Sequence, residues 1–127
     1  MSSQLSAPTS LHEHATKLLG QLPEAKFVAL IDPHGRPLFA LKATLYALSP
    51  LAKAINQYVE QIEAVGALGS LERLSVDLPE GVAHQQRLSG GLSLLVLCGA
   101  EGSRARARAY LSLCARELDL LQRGASR

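Results

Sequence analysis

The chain has 127 residues, a formal net charge of +2, and 47% hydrophobic against 19% charged residues. This length suits one ordinary domain, and the composition excludes both an acidic tail and a disordered segment that is poor in hydrophobic residues. The longest apolar stretch, Leu92 to Cys98, is interrupted by Ser93 and is far shorter than the roughly 20 residues of a membrane-spanning helix. Residues 1–10 lack the basic and apolar regions of a secretory signal, so we expect a cytoplasmic protein without a membrane span.

Hydrophobic periodicity and turn residues predict three helices and five strands. In chain order they are a helix over 10–22, strands over 26–32 and 37–42, a helix over 49–65, strands over 71–78, 82–88 and 92–98, and a helix from residue 103. Ser10 and Glu13 form a capping box at the start of the first helix. Ser49 followed by Pro50 is typical of the first residues of a helix, so the second helix is predicted to begin there.

This order of elements predicts an α+β domain in which helices cover both faces of a five-stranded, mainly antiparallel sheet. The strands over 26–32 and 92–98 are apolar on both faces, which is typical of central strands. The strand over 71–78 alternates between apolar and polar residues and is predicted to lie at an edge. The predicted boundaries are a flexible N-terminus at 1–9, the domain at 10–122 and a flexible C-terminus at 123–127.

The second helix has a predicted core face and a polar back, with a mildly apolar shoulder beside the core face. The predicted core face consists of Leu51, Ile55, Tyr58, Ile62 and Val65. Ala52 and Val59 lie on the shoulder, whereas Asn56 and Glu63 lie toward the back. Exposed apolar area beside polar residues is typical of a docking helix, so these four residues are predicted to bind a partner.

A search for catalytic and metal-binding motifs finds none. The sequence has no G-x-x-x-x-G-K-[ST] phosphate loop, no G-x-S-x-G nucleophile motif and no C-x-x-C pair. His12 and His14 point about 200° apart on a helix and cannot share a metal, and His84 has no evident carboxylate partner. Cys98 and Cys114 lie in apolar patterns typical of buried cysteines. We therefore expect no enzyme activity, no cofactor and no metal.

Arg104, Arg106 and Arg108 open the last helix, although the positive end of a helix disfavours basic residues. Since a glycine-containing loop, residues 99–102, precedes them, one interpretation is a site for a phosphate or for an acidic patch of a partner. The other interpretation is a solvated helix face. No aromatic residue lies among these arginines to stack on a base, which favours the solvated face and argues against nucleic-acid binding.

Several segments, in this order, resemble the roadblock or dynein light-chain superfamily in its bacterial version. The matching segments are Leu19–Pro23, the strand–turn–strand Leu30–Leu38 with its Asp-x-x-Gly turn, Gly69–Asp77 and Gly91–Leu97, within residues 11–121. The resemblance implies a fold of roadblock or profilin type.

The resemblance also implies a non-catalytic module that dimerises and binds or regulates a Ras-like small GTPase, with GTPase activation as one mode of regulation. It further implies that the edge strand pairs with its counterpart in a second copy. The residues assigned to that dimer edge are Leu71, Arg73, Ser75 and Asp77. We expect Arg36 to be a solvated turn residue rather than an arginine finger. Three alternatives stay open: a structural adaptor without a GTPase client, a small enzyme or small-ligand sensor that uses an unrecognised pocket, and a heteromeric assembly.

Overall fold

Three helices and five strands are present in the computed structural model, which describes residues 2–66, 71–100 and 102–125. In chain order they are α1 (Ser2–Gln21), β1 (Ala25–Ile31), β2 (Pro37–Leu41), α2 (Leu45–Val65), β3 (Arg73–Leu78), β4 (Gly81–Arg87), β5 (Ser93–Cys98) and α3 (Arg104–Ala125). The predicted α+β order is confirmed. Several residues of the predicted features lie outside the described residues. They are Met1 and residues 126–127 of the predicted ends, Gly69 and Ser70 of a matching segment, and Glu101 of the loop before the last helix.

The strands form one antiparallel sheet in the order β2-β1-β5-β4-β3. All of β5 is buried, and in β1 the only exposed residue is Lys26. Segments that are apolar at consecutive positions need cover on both faces of the sheet, which is why these two strands are interior. The prediction of central β1 and β5 is confirmed, and so is the position of β3 at an edge.

The sheet separates two hydrophobic cores. Helices α1 and α3 pack on one face, where Val28 and Leu30 of β1 point, while α2 packs on the face that receives Phe27, Ala29 and Ile31. Alternate residues of one strand therefore serve opposite cores. The prediction of helices on both faces of the sheet is confirmed.

Helix α1 begins at Ser2 rather than at Ser10, so the predicted start is wrong. Ser10 and Glu13 lie inside the helix, where the backbone amides already bond to the preceding turn and a capping box has no free donor to satisfy. The downstream face agrees with the pattern, since Ala15 and Leu18 are buried. The flexibility of residues 1–9 and 123–127 stays a prediction.

Helix α2 begins at Leu45, so the predicted start at Ser49–Pro50 is also wrong. Thr44 is the N-cap, and its Oγ1 accepts a hydrogen bond from the amide of Ala47 at 3.1 Å. Pro50 lies inside the helix. Proline has no N–H, so the carbonyl of Tyr46 lacks its usual donor one turn later, and the helix continues because the cap at Thr44 has already ordered its first turn.

The buried face of α2 is rotated relative to the predicted core face. It consists of Leu48, Ala52, Ile55 and Val59. Tyr58 and Val65, which were predicted to lie in the core, are 49% and 89% exposed. The predicted exposure of Ala52 and Val59 is wrong, since both are buried in the core between α2 and the sheet. The apolar stripe begins at Leu48, so a helix assumed to start at Ser49 loses the first member of the stripe and acquires the wrong phase.

Candidate protein-interaction site

The edge strand β3 carries backbone groups that face away from the sheet. The amide of Arg87 donates to the carbonyl of Glu72 at 2.8 Å, just before β3, and Leu74 lies opposite Gln85. Hydrogen-bonded positions recur at every second residue of an antiparallel strand, so the even-numbered residues of β3 bond to β4. The residues whose amide and carbonyl face away from the sheet are Arg73, Ser75 and Asp77.

The side chains of β3 divide between its two faces. Leu74, Val76 and Leu78 are half-buried, and the two leucines pack against the α2 core. Arg73, Ser75 and Asp77 are exposed on the opposite face. There Asp77 Oδ1 accepts from Arg104 Nη2 of α3 at 2.5 Å. The free edge therefore has an apolar row on the α2 side and a charged row on the α3 side.

Leu71, which was assigned to the dimer edge, lies before β3. Its amide donates to Glu63 Oε2 at 2.6 Å, and the same carboxylate oxygen lies 3.2 Å from Arg87 Nη2. The amide of Leu71 is therefore already bound within the protomer, and a contact of Leu71 at the dimer edge stays a prediction. Glu63, one of the four predicted partner-binding residues, joins the end of α2 to β3 and β4. Its contact with a partner stays a prediction.

Asn56, the remaining partner-binding candidate, is half-buried against the turn between β1 and β2. A side-chain carbon placed on Gly35 would lie 2.7 Å from Asn56 Cβ, so the backbone of the turn rests directly on this side chain. Asn56 Nδ2 also donates to Glu60 Oε1 at 3.5 Å. Gly35 has a φ of 85°, which together with the close approach explains the need for glycine. A partner contact by Asn56 also stays a prediction.

An exposed apolar stripe runs along the outside of α2 and was missed in the sequence. This outer stripe consists of Ala47, Pro50, Ala54, Tyr58 and Val65. These residues recur at helical spacing, so they share one face that points away from the core. One feature of the sequence could have revealed this stripe: the apolar arc of α2 is wider than packing on one sheet requires.

The end of α2 is joined to the segment that leads into the free edge of β3. The hydrogen bond between Glu63 and the amide of Leu71 fixes the last turns of α2 beside the start of the edge strand. Val65, 89% exposed, belongs to the same last turns. The end of α2 is therefore fixed relative to the edge strand, whereas Val65, two residues after Glu63, points to a different side of the helix.

The turn between β1 and β2 is organised by Asp32. Its Oδ1 accepts from the amides of His34 and Arg36, each at 2.8 Å. The hydrogen bond from the Arg36 amide is the main cause that lowers the pKa of Asp32, and the one from His34 adds to it. Arg36 Nε lies 3.3 Å from Asp32 Oδ2 and its side chain is 77% exposed, as expected for a solvated turn arginine.

A serine–histidine pair joins β3 to β4. Ser75 Oγ lies 2.8 Å from Nδ1 of His84, which is buried. A histidine that activates a serine must accept its proton. Burial first, and then the charges of Arg108 and Arg104, lower the pKa of His84, so the imidazolium that such a step forms is disfavoured. The structure shows the pair as a cross-strand hydrogen bond that joins β3 to β4.

Two of the three arginines at the start of α3 have partners within the fold. Arg104 is paired with Asp77. Arg106 Nη2 donates to the carbonyl of Gln21 at 3.0 Å, and its guanidinium lies 5.6 Å from the ring centre of Tyr110. These contacts attach α3 to α1 and to the edge strand. They favour a structural role for the arginines over an anion site at the helix end.

The remaining candidate groups show no arrangement for metal or thiol chemistry. Within residues 2–66, 71–100 and 102–125, no three His, Cys, Asp or Glu side chains are grouped so that they could hold a metal. Cys98 and Cys114 are buried and unpaired, and burial raises the pKa of each thiol to about 11, which disfavours the reactive thiolate. No helix in the described part of the chain has the length and apolarity needed to cross a membrane.

Comparison with protein-family models finds no match, and neither does comparison with curated proteins. Solved structures, however, are similar over most of the chain. MglB of Myxococcus xanthus superposes with a TM-score of 0.79 at 16% identity, covering 92% of this chain and 90% of that one. A Roadblock/LC7 domain from Streptomyces avermitilis gives 0.74 at 15% identity, with coverage of 83% and 91%. MglB with a tetrameric arrangement gives 0.76 at 15% identity, with coverage of 91% and 89%.

Identities this low establish the fold alone. The superpositions nevertheless cover 91% of the Streptomyces avermitilis domain and 90% of Myxococcus xanthus MglB. The chain therefore has the Roadblock/LC7 fold.

Proposed function

We propose that this protein is a cytoplasmic, non-catalytic interaction module that forms a homodimer and, as a dimer, binds and regulates a Ras-like small GTPase. The observation that carries the dimer is the free edge of β3, and the outer stripe of α2 is a second exposed surface of the same protomer. Backbone donors and acceptors at a sheet edge are a template for another strand. A second copy supplies the same edge in antiparallel orientation, which gives a symmetric contact.

Pairing along β3 continues the sheet from one protomer into the next. Both α2 helices then lie on the same face of the extended sheet, and their C-terminal halves approach each other across the two-fold axis. Tyr58 and Val65 are exposed in one protomer and would become covered by the second. Burial of such residues contributes roughly 1.5–3 kcal/mol each when it is complete.

The GTPase client is supported by two likenesses. The sequence resembles bacterial roadblock proteins, and the structure is similar to MglB over about nine-tenths of both chains. The sequence has no phosphate loop, so the chain does not itself bind a nucleotide in the manner of a P-loop GTPase.

The dimer is tested by sedimentation over a dilution series. Wild type is expected to sediment as a dimer and Val65→Asp to shift toward monomer, because a charge would be buried at the interface. Gln57→Asp is the matched control, since Gln57 is exposed on the polar side of α2. A wild type that stays monomeric at all concentrations contradicts the proposal.

The client is tested with a Ras-like GTPase encoded beside this gene, loaded with GDP or with a non-hydrolysable GTP analogue. Calorimetry is expected to show binding to one nucleotide form more tightly than to the other, and phosphate release then shows whether hydrolysis is accelerated. A dimer that binds neither form contradicts the client and favours the structural adaptor. Binding that survives when the dimer is dissociated contradicts the requirement for two copies.

A further inference from the structure

The edge strand carries opposite charges at two positions that flank one serine. Arg73, Ser75 and Asp77 are exposed on the same face, and their backbone groups face away from the sheet. We propose that in the homodimer Ser75 lies on the two-fold axis opposite the partner's Ser75, so that Arg73 lies opposite the partner's Asp77. This register rests on the homodimer proposed above and is specific to the residues of this chain.

Backbone geometry leaves few possible registers. In an antiparallel pair, two residues that exchange hydrogen bonds must both direct their amide and carbonyl toward the other strand. Only alternate residues of β3 do so. If most of the short strand is to stay paired, the residue that faces its own counterpart across the two-fold axis must therefore be residue 74, 75 or 76.

The number of complete residue pairs within β3 distinguishes these three registers. An axis at residue 75 pairs Arg73 with the partner's Asp77, Ser75 with the partner's Ser75, and Asp77 with the partner's Arg73. Each pair exchanges two bonds, which gives about six in total.

The two neighbouring registers keep only two complete pairs within β3, or about four bonds, and their other pairs reach residues outside the strand. An axis at residue 76 places Arg73 opposite the partner's Pro79, which has no N–H to donate. An axis at residue 74 places Asp77 opposite the partner's Leu71. In each protomer the amide of Leu71 already donates to Glu63 at 2.6 Å.

Side chains favour the same register. Residues directly opposite each other have Cβ atoms about 4.5–5.5 Å apart, so an axis at residue 75 creates two Arg–Asp contacts related by symmetry. On the other face it brings Leu74 opposite the partner's Val76, and both are half-buried and apolar. In the neighbouring registers Arg73 or Asp77 faces a serine instead. Asp77 is already paired with Arg104, so it would lie between one arginine of its own chain and one of the partner.

Disulfide trapping measures the register directly. In Ser75→Cys the two introduced cysteines would have Cα atoms about 5.5 Å apart, within the roughly 4.4–6.8 Å that a disulfide tolerates. In either neighbouring register the same atoms would be roughly 9 Å apart, which is too far. The native Cys98 and Cys114 are buried with thiol pKa values of about 11, so they provide a low background.

A second pair of variants does not depend on Ser75, whose hydroxyl bonds to His84. Arg73→Cys and Asp77→Cys are each expected to stay uncrosslinked alone and to form a disulfide when they are mixed. In both experiments, non-reducing electrophoresis after mild oxidation measures the fraction of crosslinked dimer.

The outcomes separate this register from the dimer itself. Crosslinking of Ser75→Cys, or of the mixed pair, by more than half under oxidation supports the register. A dimer by sedimentation that crosslinks in neither experiment overturns the register but leaves the homodimer in place. Crosslinking of Arg73→Cys or Asp77→Cys alone also overturns it. A monomeric wild type overturns both proposals.

Discussion

Replacing Ser75 by proline removes an outward-facing amide of the edge strand. Because the ladder with β4 uses the even-numbered residues of β3, this substitution leaves the internal sheet bonds in place. Replacing Leu74 by proline has the opposite effect, since its amide faces β4. The two substitutions are adjacent in sequence, yet we expect one to affect association and the other to affect folding.

The magnitudes follow from the bonds that each variant loses. In the dimer, Ser75→Pro removes one donor per copy, each worth about 0.5–1.5 kcal/mol, so the dimer loses about 1–3 kcal/mol. That corresponds to a dissociation constant about 5- to 150-fold higher. Leu74→Pro leaves backbone groups inside the sheet unpaired at a cost of about 1–3 kcal/mol. It also loses roughly 1 kcal/mol of packing by a half-buried leucine.

The comparison requires a control for the hydroxyl of Ser75, which bonds to the buried His84. Ser75→Ala loses the same hydroxyl but keeps the amide, so the difference between Ser75→Pro and Ser75→Ala isolates the backbone donor. Sedimentation gives the dissociation constants, and circular dichroism gives the melting temperatures. We expect Ser75→Pro to melt close to Ser75→Ala, and Leu74→Pro to melt at least about 6 °C below wild type. Equal dissociation constants for the two Ser75 variants would refute pairing through this edge.

Three further predictions concern the folded protomer. Val59→Asp should unfold the domain, because it buries an unpaired charge, whereas Gln61→Asp on an exposed position of the same helix should not change the circular dichroism spectrum. Gly81→Ala should lower the melting temperature far more than Gly90→Ala. Both glycines have positive φ, but a side-chain carbon at Gly81 would lie 2.0 Å from a backbone oxygen of β5, and nothing lies within 4 Å at Gly90. The lowered pKa of His84 means that the unfolded chain binds its proton more readily, so stability should fall as the pH decreases through about 6.5. His84→Gln should reduce that dependence between about pH 7.5 and 5.5, and an unchanged melting profile would contradict the assignment.

The parts of the fold that could be predicted are those that depend on the local pattern of apolar and polar residues. β1 and β5 are continuously apolar and are therefore interior, whereas β3 alternates and lies at an edge. The start of α2 could not be predicted in this way. Ser49 followed by Pro50 is a stronger sequence signal for a helix start than Thr44 is, and only the structure shows that both residues lie inside the helix. The bond from Leu71 to Glu63 was equally inaccessible, because it joins elements whose proximity depends on the packed sheet.

The error in the phase of α2 has a physical origin that also bears on function. Periodicity reports which residues of a helix avoid water, but it does not report what covers them. Ala52 and Val59 are covered by the sheet of their own protomer, and Tyr58 and Val65 on the neighbouring arc are not. A helix that is apolar over both arcs needs two covering surfaces, and the sheet of one protomer supplies only one of them. The backbone of the edge strand β3 is likewise hydrogen-bonded to β4 on one side and, among the described residues, has no neighbouring strand on the other. The contact between Glu63 and Leu71 joins the end of α2 to the start of the edge strand, and we expect one symmetric contact with a second copy to cover both.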